Sequence, residues 1–162
     1  MKKVFLITGS PGAGKTHYVK EHAGTKDVVF DLDEINVALG GIKHEDNSPQ
    51  LGISLAMREA AIKEISKRNG KWENAYFISA SSDRDEIEGL CKTLGAEEIA
   101  IKSSLEQCKM NILSDESRKD KDAQISLAEK WHNRTSSAQL SDCDPVQAAY
   151  KQMLTDLSKS VI

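Results

Sequence analysis

Eight residues near the start of the chain, Gly9-Ser10-Pro11-Gly12-Ala13-Gly14-Lys15-Thr16, set three glycines, a lysine and a hydroxyl at spacings suited to one task, holding phosphate. The pattern is G-x-x-x-x-G-K-[ST]. Gly9, Gly12 and Gly14 let the backbone curl so that successive N–H groups point inward, and they leave room for phosphate oxygens. Lys15 is expected to reach the β- and γ-phosphates of a nucleoside triphosphate, and Thr16 to give an oxygen to Mg2+. Ser10, Pro11 and Ala13 complete the octet, Pro11 restricting the loop without needing an N–H. The setting suits the motif: Val4-Phe5-Leu6-Ile7 reads as a buried strand, and a helix is predicted over 15–23, its N–H end facing the phosphates.

A second set of chemistry-bearing residues lies at Asp31 and Asp33. The stretch 27–33 reads as a strand, and a period of two puts both carboxylates on one side. At the carboxyl end of a parallel sheet they would meet a ligand. Asp33, further out, is the expected partner of an acceptor hydroxyl, whose proton it would take as the new bond forms. Asp31 is expected to be structural or to hold Mg2+ through water. Either aspartate suits equally the cap of a helix beginning near Glu34.

A third is Arg118, in the polar run 114–122 between two predicted helices, with Lys119 and Lys121 beside it and Lys109 nine residues earlier. Phosphate transfer needs cations over the moving group and exclusion of water, and a planar guanidinium grips two phosphate oxygens. Arg118 is therefore the expected lid cation, although Asp115, Glu116, Asp120 and Asp122 also suit a solvated mixed-charge loop. Arg58, Arg84, Lys43 and His44 are further residues near the expected acceptor side, and His44 is a conceivable base by position alone. Trp72 and Trp131 read as packing residues.

The elements that must position these groups alternate. Strands are predicted over 3–8, 27–33, 75–79 and 98–101, and helices over 15–23, 51–68, 84–94, 105–113, 122–132 and 146–159. Ser82 with Asp85, and Ser103 or Ser104, mark helix starts, and Gly24 and Gly95 mark stops. This alternation predicts an α/β fold of three layers, a parallel sheet flanked by helices. Residues 34–50, with Gly40-Gly41, Asn47 and Pro49, read as an exposed acceptor-side segment. Residues 109–122 read as a lid and 133–144 as a polar loop. Residues 1–162 are expected to form one domain.

Composition narrows the function. The net charge of −3 and aromatic content of 5% do not suit a broad basic surface for duplex nucleic acid, though they permit a local basic site. Three cysteines, Cys91, Cys108 and Cys143, have no metal-like spacing and read as reduced core residues. No run approaches the roughly 20 apolar residues of a membrane span. A cytoplasmic protein is expected, without a membrane partner. The predicted third strand leads into Ser79-Ala80-Ser81-Ser82, so it lacks a terminal aspartate to activate water. A guanine-reading Asn-Lys-x-Asp segment is absent too. These absences point from hydrolysis engines toward phosphate transfer.

Together, the octet, Asp31-Leu32-Asp33-Glu34, and Ser103 to Lys109 ahead of Arg118 resemble the compact P-loop kinases related to phage-type polynucleotide 5′-hydroxyl kinases, with zeta-toxin-like and AAA-like ATP-binding kinases sharing the layout. The resemblance covers about residues 2–135. It implies a P-loop NTPase fold with four or five strands in adenylate-kinase-like order and a helical lid. It also implies ATP and Mg2+, with Asp33 activating the acceptor and Arg118 acting as lid arginine. Asn36 stands where many such kinases carry an arginine after the strand-2 carboxylates, and Lys109 where many carry one before the lid. The expected activity is γ-phosphate transfer to a polynucleotide or nucleotide 5′-hydroxyl. Small-molecule or nucleoside kinases, and an ATP-binding regulatory or assembly module with weak turnover, are the rival readings.

Overall fold

The structure, a computed structural model, describes residues 1–44 and 48–141; the helix expected over 146–159 and Cys143 lie outside the described residues. The elements are β1 (Lys3–Thr8), α1 (Lys15–His22), β2 (Val28–Phe30), α2 (Leu32–Ala38), α3 (Ser48–Ser66), β3 (Asn74–Ile78), α4 (Arg84–Leu94), β4 (Glu97–Ala100), α5 (Leu105–Ser114) and α6 (Lys121–Ser141). The strands form one parallel sheet in the order β2-β3-β1-β4. This is the expected P-loop-like α/β architecture, with four strands among the described residues.

The period of two in β1 and β3 makes the sheet two-faced. Val4, Leu6, Ala75 and Phe77 turn toward α3 and α4, where Ile62, Ile65, Ile87, Leu90 and Leu94 meet them. Ile7 and Tyr76 turn the other way and bury Val19 of α1. Phe77 lies opposite both Leu6 and Phe30 across the sheet, and its ring stacks on Phe30 at 4.7 Å. Full burial of such a side chain contributes about 1.5–3 kcal/mol. A smaller apolar group, Cys108, Ile112 and Ala128, joins α5 to α6 and presses on Ala13 of the glycine loop.

Because every strand is parallel, β1, β2 and β3 all end at one edge, and Thr8, Phe30 and Ile78 deliver the chain there. Local signals set the helix ends. Ser104 accepts the Gln107 N–H and starts α5. Gly95, at φ 55°, ends α4, as expected. The α4 cap is Asp83 rather than Ser82: its carboxylate accepts the N–H groups of Asp85 and Glu86. Helix α3 starts at Ser48, ahead of the expected 51, because Pro49 fits a first turn whose N–H would be unpaired anyway. Helix α6 runs to Ser141, through most of the expected 133–144 loop. No glycine or proline interrupts that stretch before Pro145, and Thr135 Oγ1 folds back onto the carbonyls of Trp131 and His132. Among the described residues no helix is long and apolar enough to cross a membrane.

Candidate functional site

The glycine octet spans the turn from β1 into α1. Gly12 (φ 78°) and Gly14 (φ 97°) are left-handed, a conformation that L side chains adopt at a cost. Gly14 is the N-cap of α1 but offers no side-chain cap, and the first turn of the helix holds no acid. Its N–H groups are thus available to an anion at the positive end of the helix. Lys15 Nζ donates to the carbonyls of Gly9 (2.7 Å) and Ser10 (2.9 Å), which folds the ammonium over the loop. Burial lowers Lys15 from 10.5 to about 8, against the opposing pull of Asp31 and Asp33.

Helix α5 braces the loop from outside. Asn111 Nδ2 donates to the Gly12 carbonyl at 2.9 Å. A Cβ on Gly12 would stand 2.6 Å from the Cys108 carbonyl oxygen and 2.9 Å from Ile112 Cγ1, whereas one on Gly14 would meet nothing within 4 Å. The side of the loop at Gly14 is open for a ligand; the side at Gly12 is packed.

The two aspartates reach the site by a route other than the expected one. Strand β2 ends at Phe30, Asp31 caps α2, and Asp33 belongs to that helix rather than to the strand. Asp31 Oδ1 accepts the Asp33 N–H at 3.0 Å, which turns the chain into a helix immediately, and the acidic first turn suits the helix dipole. The cap, not strand periodicity, sets both carboxylates at the sheet edge. Asp31 is buried, and its Oδ2 accepts from Thr16 Oγ1 at 3.3 Å. Burial first, and then the neighbouring Asp33, push its carboxyl above the ordinary 3.8. Asp33 goes the other way: a hydrogen bond from His44, reinforced by the charges of His44, Lys43 and Arg118, outweighs its burial and lowers it. The His44 Nδ1 to Asp33 Oδ2 distance is 3.0 Å.

Arg118 lies in the connection 115–120 between α5 and α6, its side chain 11% exposed. Its Nε donates to Asp115 Oδ2 and its Nη1 to Gln124 Oε1, each at 3.0 Å. Asp115 is itself fixed by Ser117, whose hydroxyl and N–H both donate to Oδ1. Those bonds, with Arg118 added and burial opposing, bring Asp115 down to about 2.

A single cavity of about 1710 Å3 is lined by Lys15, Thr16, Asp31, Asp33 and Arg118. That exceeds the roughly 300–1,000 Å3 of an ordinary small-ligand pocket and leaves room for two reactants. Arg58 lies on the same wall, its guanidinium 5.7 Å from the Phe77 ring centroid and 3.7 Å from Glu86. Lys43, His44 and Lys119 also line it.

Other residues are engaged elsewhere. Lys109 pairs with Glu129 of α6 at 2.6 Å, Lys121 Nζ donates to the Leu113 carbonyl, and Arg84 holds both oxygens of Glu98. Asn36 is buried, and its Oδ1 finds no hydrogen-bond donor among the described residues. Trp131 donates to the Ser81 carbonyl and Trp72 lies under Lys2, both packing roles. Sequence reasoning missed Gln124, which nothing in its local sequence marks.

The donor set fits a nucleoside triphosphate with Mg2+. Open N–H groups at Gly14, Lys15 and a Thr16 hydroxyl beside the Asp31 carboxylate supply an anion cradle and hard oxygen ligands. Among the described residues no group of three or more His, Cys, Asp or Glu side chains could hold a metal by itself. An ion here would rest on Thr16, on Asp31 and on phosphate oxygens, as Mg2+ commonly does.

No family model matches the sequence, and no curated protein matches it significantly. Among solved structures the chain is similar to a chain in the Pnkp1/Rnl/Hen1 RNA repair complex, with a TM-score of 0.65 at 14% identity. The match covers 85% of this chain and 45% of that one. The chain thus shares its fold with less than half the length of a subunit from an RNA repair assembly.

Proposed function

We propose that this protein is an ATP- and Mg2+-dependent phosphotransferase that moves the γ-phosphate to a hydroxyl, with a polynucleotide or nucleotide 5′-hydroxyl as acceptor. The observation that carries this reading is the single cavity that gathers the phosphate loop, Asp33 and Arg118. Its volume admits a donor and an acceptor together. The fold neighbour's membership of an RNA repair complex favours a nucleic-acid acceptor over a metabolite.

In this reading Lys15 and the Gly14 end of α1 hold the donor phosphates. Asp33, whose carboxyl the His44 hydrogen bond holds below its ordinary 3.8, orients the acceptor hydroxyl. The acceptor oxygen bonds to the γ-phosphorus while the bond to the bridging oxygen breaks. ADP leaves with that electron pair and Asp33 takes the hydroxyl proton. Arg118 faces the charge that develops. Mg2+ on Thr16 and Asp31 would neutralise phosphate charge. Arg58 is the cation at hand for the acceptor.

One observation favours the rival reading of an ATP-binding module with weak turnover: Arg118 is already engaged by Asp115 and Gln124. Incubation with γ-labelled ATP and a panel of 5′-hydroxyl oligonucleotides, nucleosides and metabolites separates the two. Label on an oligonucleotide, sharply reduced but measurable in Asp33→Asn while ATP still binds, is the expected outcome. ATP binding with no labelled acceptor would favour the module, and equal transfer by Asp33→Asn would remove Asp33 from the chemistry.

A further inference from the structure

The lid connection and the acceptor side of the cavity are joined by one side chain. Gln124, early in α6, uses both ends of its amide. Oε1 accepts from Arg118 Nη1 at 3.0 Å, and Nε2 donates to the His44 carbonyl at 2.9 Å. His44 in turn contacts Asp33 Oδ2 through its ring Nδ1 at 3.0 Å. With an ionised Asp33, that nitrogen carries the proton and donates. One carboxylate oxygen, Oδ2, is held this way, which fixes the orientation of the carboxylate.

His44 needs this support. It is a non-glycine residue at φ 63°, so its backbone sits in the left-handed conformation that L residues adopt at a cost. Its side chain is 12% exposed, confined between α2 and α6. A strained residue persists when its surroundings over-determine it, and the bond from Gln124, 80 residues away in sequence, is a long-range contact that contributes to this. The charged groups around the pair among the described residues include Lys43, adjacent and bonded to Glu34, Arg118 from the connection between α5 and α6, Asp31 and Lys15.

We infer that Gln124 is a positioning residue that couples the two halves of the transfer site. By gripping Arg118 and the His44 backbone at once, it sets the lid cation and the Asp33 carboxylate in a fixed relation. A shift of Arg118 toward phosphate then changes how firmly Asp33 is presented, and an acceptor seated on Asp33 biases the lid. The inference rests on the phosphotransferase reading and assigns that reaction a further residue at the cavity wall, one that acts through Arg118 and the His44 turn.

Gln124→Glu tests it. The carboxylate still accepts from Arg118 but cannot donate to the His44 carbonyl. Transfer of labelled phosphate to a 5′-hydroxyl oligonucleotide is measured for the wild type, Gln124→Glu, Asp33→Asn and the double variant. Gln124→Met, which loses both bonds, is the second probe. If Gln124 acts through Asp33, Gln124→Glu lowers transfer about tenfold in the wild-type background and by less than about twofold once Asp33 is Asn. Gln124→Met should fall below Gln124→Glu. Equal losses in both backgrounds, as a merely structural role would give, overturn the inference, as does wild-type transfer by Gln124→Glu. Transfer by the wild type is the separate control: its absence overturns the phosphotransferase reading and the inference with it. Its presence with additive losses overturns the inference alone.

Discussion

Gly12 is the position where the structure makes its sharpest energetic demand. An alanine there carries two penalties. At φ 78° an L residue pays about 1–2 kcal/mol for the left-handed conformation. Its Cβ would lie 2.6 Å from the Cys108 carbonyl oxygen and 2.9 Å from Ile112 Cγ1. The first of these is backbone inside α5, and both residues are fully buried, so relief requires moving the helix. Such overpacking costs about 1–3 kcal/mol. The sum is about 2–5 kcal/mol, and for a chain of this size each kcal/mol shifts the midpoint by about 2–4 °C. Gly12→Ala should therefore unfold roughly 10 °C below the wild type. Gly14→Ala is the internal control. Its φ of 97° carries the same conformational cost, but its Cβ meets nothing within 4 Å, so about 1–2 kcal/mol and a few degrees are expected. Thermal unfolding of both variants without nucleotide, at one pH and concentration, reads the difference. Equal midpoints, or a Gly14 variant less stable than the Gly12 variant, would refute the claim that α5 is packed against the phosphate loop.

Lys15→Ala should reduce phosphate transfer by about 10²–10³-fold, because it removes the charge aimed at the moving group; labelled transfer at saturating ATP checks this. The depressed Lys15 has a pH signature. Between its folded value of about 8 and its ordinary 10.5, the folded protein binds fewer protons than the unfolded chain, so stability should rise over that window. Urea unfolding of wild type against Lys15→Met from pH 8 to 10 should show the rise in the wild type only. Asp115 gives a slope of the same sign at the acid end. Held at about 2, below its ordinary 3.8, it contributes stability that is complete above pH 3.8 and is lost as pH falls through 2. Asp115→Asn should flatten that acid limb in a pH series of melting temperatures. Arg118→Lys should lower transfer by about tenfold or more with ATP binding largely retained, because a point charge cannot hold Asp115 and Gln124 and also fork onto phosphate. ATP affinity and transfer rate measured together test it.

How legible each part of this site is in the sequence depends on how local it is. The octet is legible because a strand, a curled loop and a helix N-terminus are all set by adjacent residues, and the structure gives β1, the left-handed glycines and α1 at those positions. Asp31 and Asp33 are legible as a pair, and of the two readings of that pair, strand face and helix cap, the cap is the one that positions them. Their spacing of two suits a strand face, yet it also suits an N-cap reaching the N–H two residues on, and that bond wins. The lid position of Arg118 can be read from the polar run between two helices. Its partners can be read only in part: Asp115 is three residues away, but Gln124 and the loop at His44 depend on how α6 lies against the acceptor side. Lys109 departs from its expected place near the phosphates for the same reason, since Glu129, 20 residues on, claims it across the α5–α6 contact.

The same division of local and long-range parts separates the two halves of the site. The proposed donor half is one contiguous stretch braced by α5, so the geometry of the glycine loop is encoded almost entirely in residues 9–16. The acceptor half is assembled from α2, the turn at His44, Arg58 of α3 and the β3 exit, elements that meet only because the sheet is ordered β2-β3-β1-β4. Asn36 of α2 is buried rather than facing the cavity, so under the proposed transfer reaction a cation for the acceptor would come from elsewhere. Arg58 meets that need from another helix: it lines the cavity above Phe77, within 4 Å of Glu86, whose other oxygen accepts from Ser81. An arginine supplied from α3 rather than α2 approaches the acceptor from the far wall of the cavity. The groups that would face the acceptor are thus spread over α2, the turn at His44, α3 and the β3 exit, so in the proposed reaction acceptor choice would change with substitutions there that leave residues 9–16 untouched.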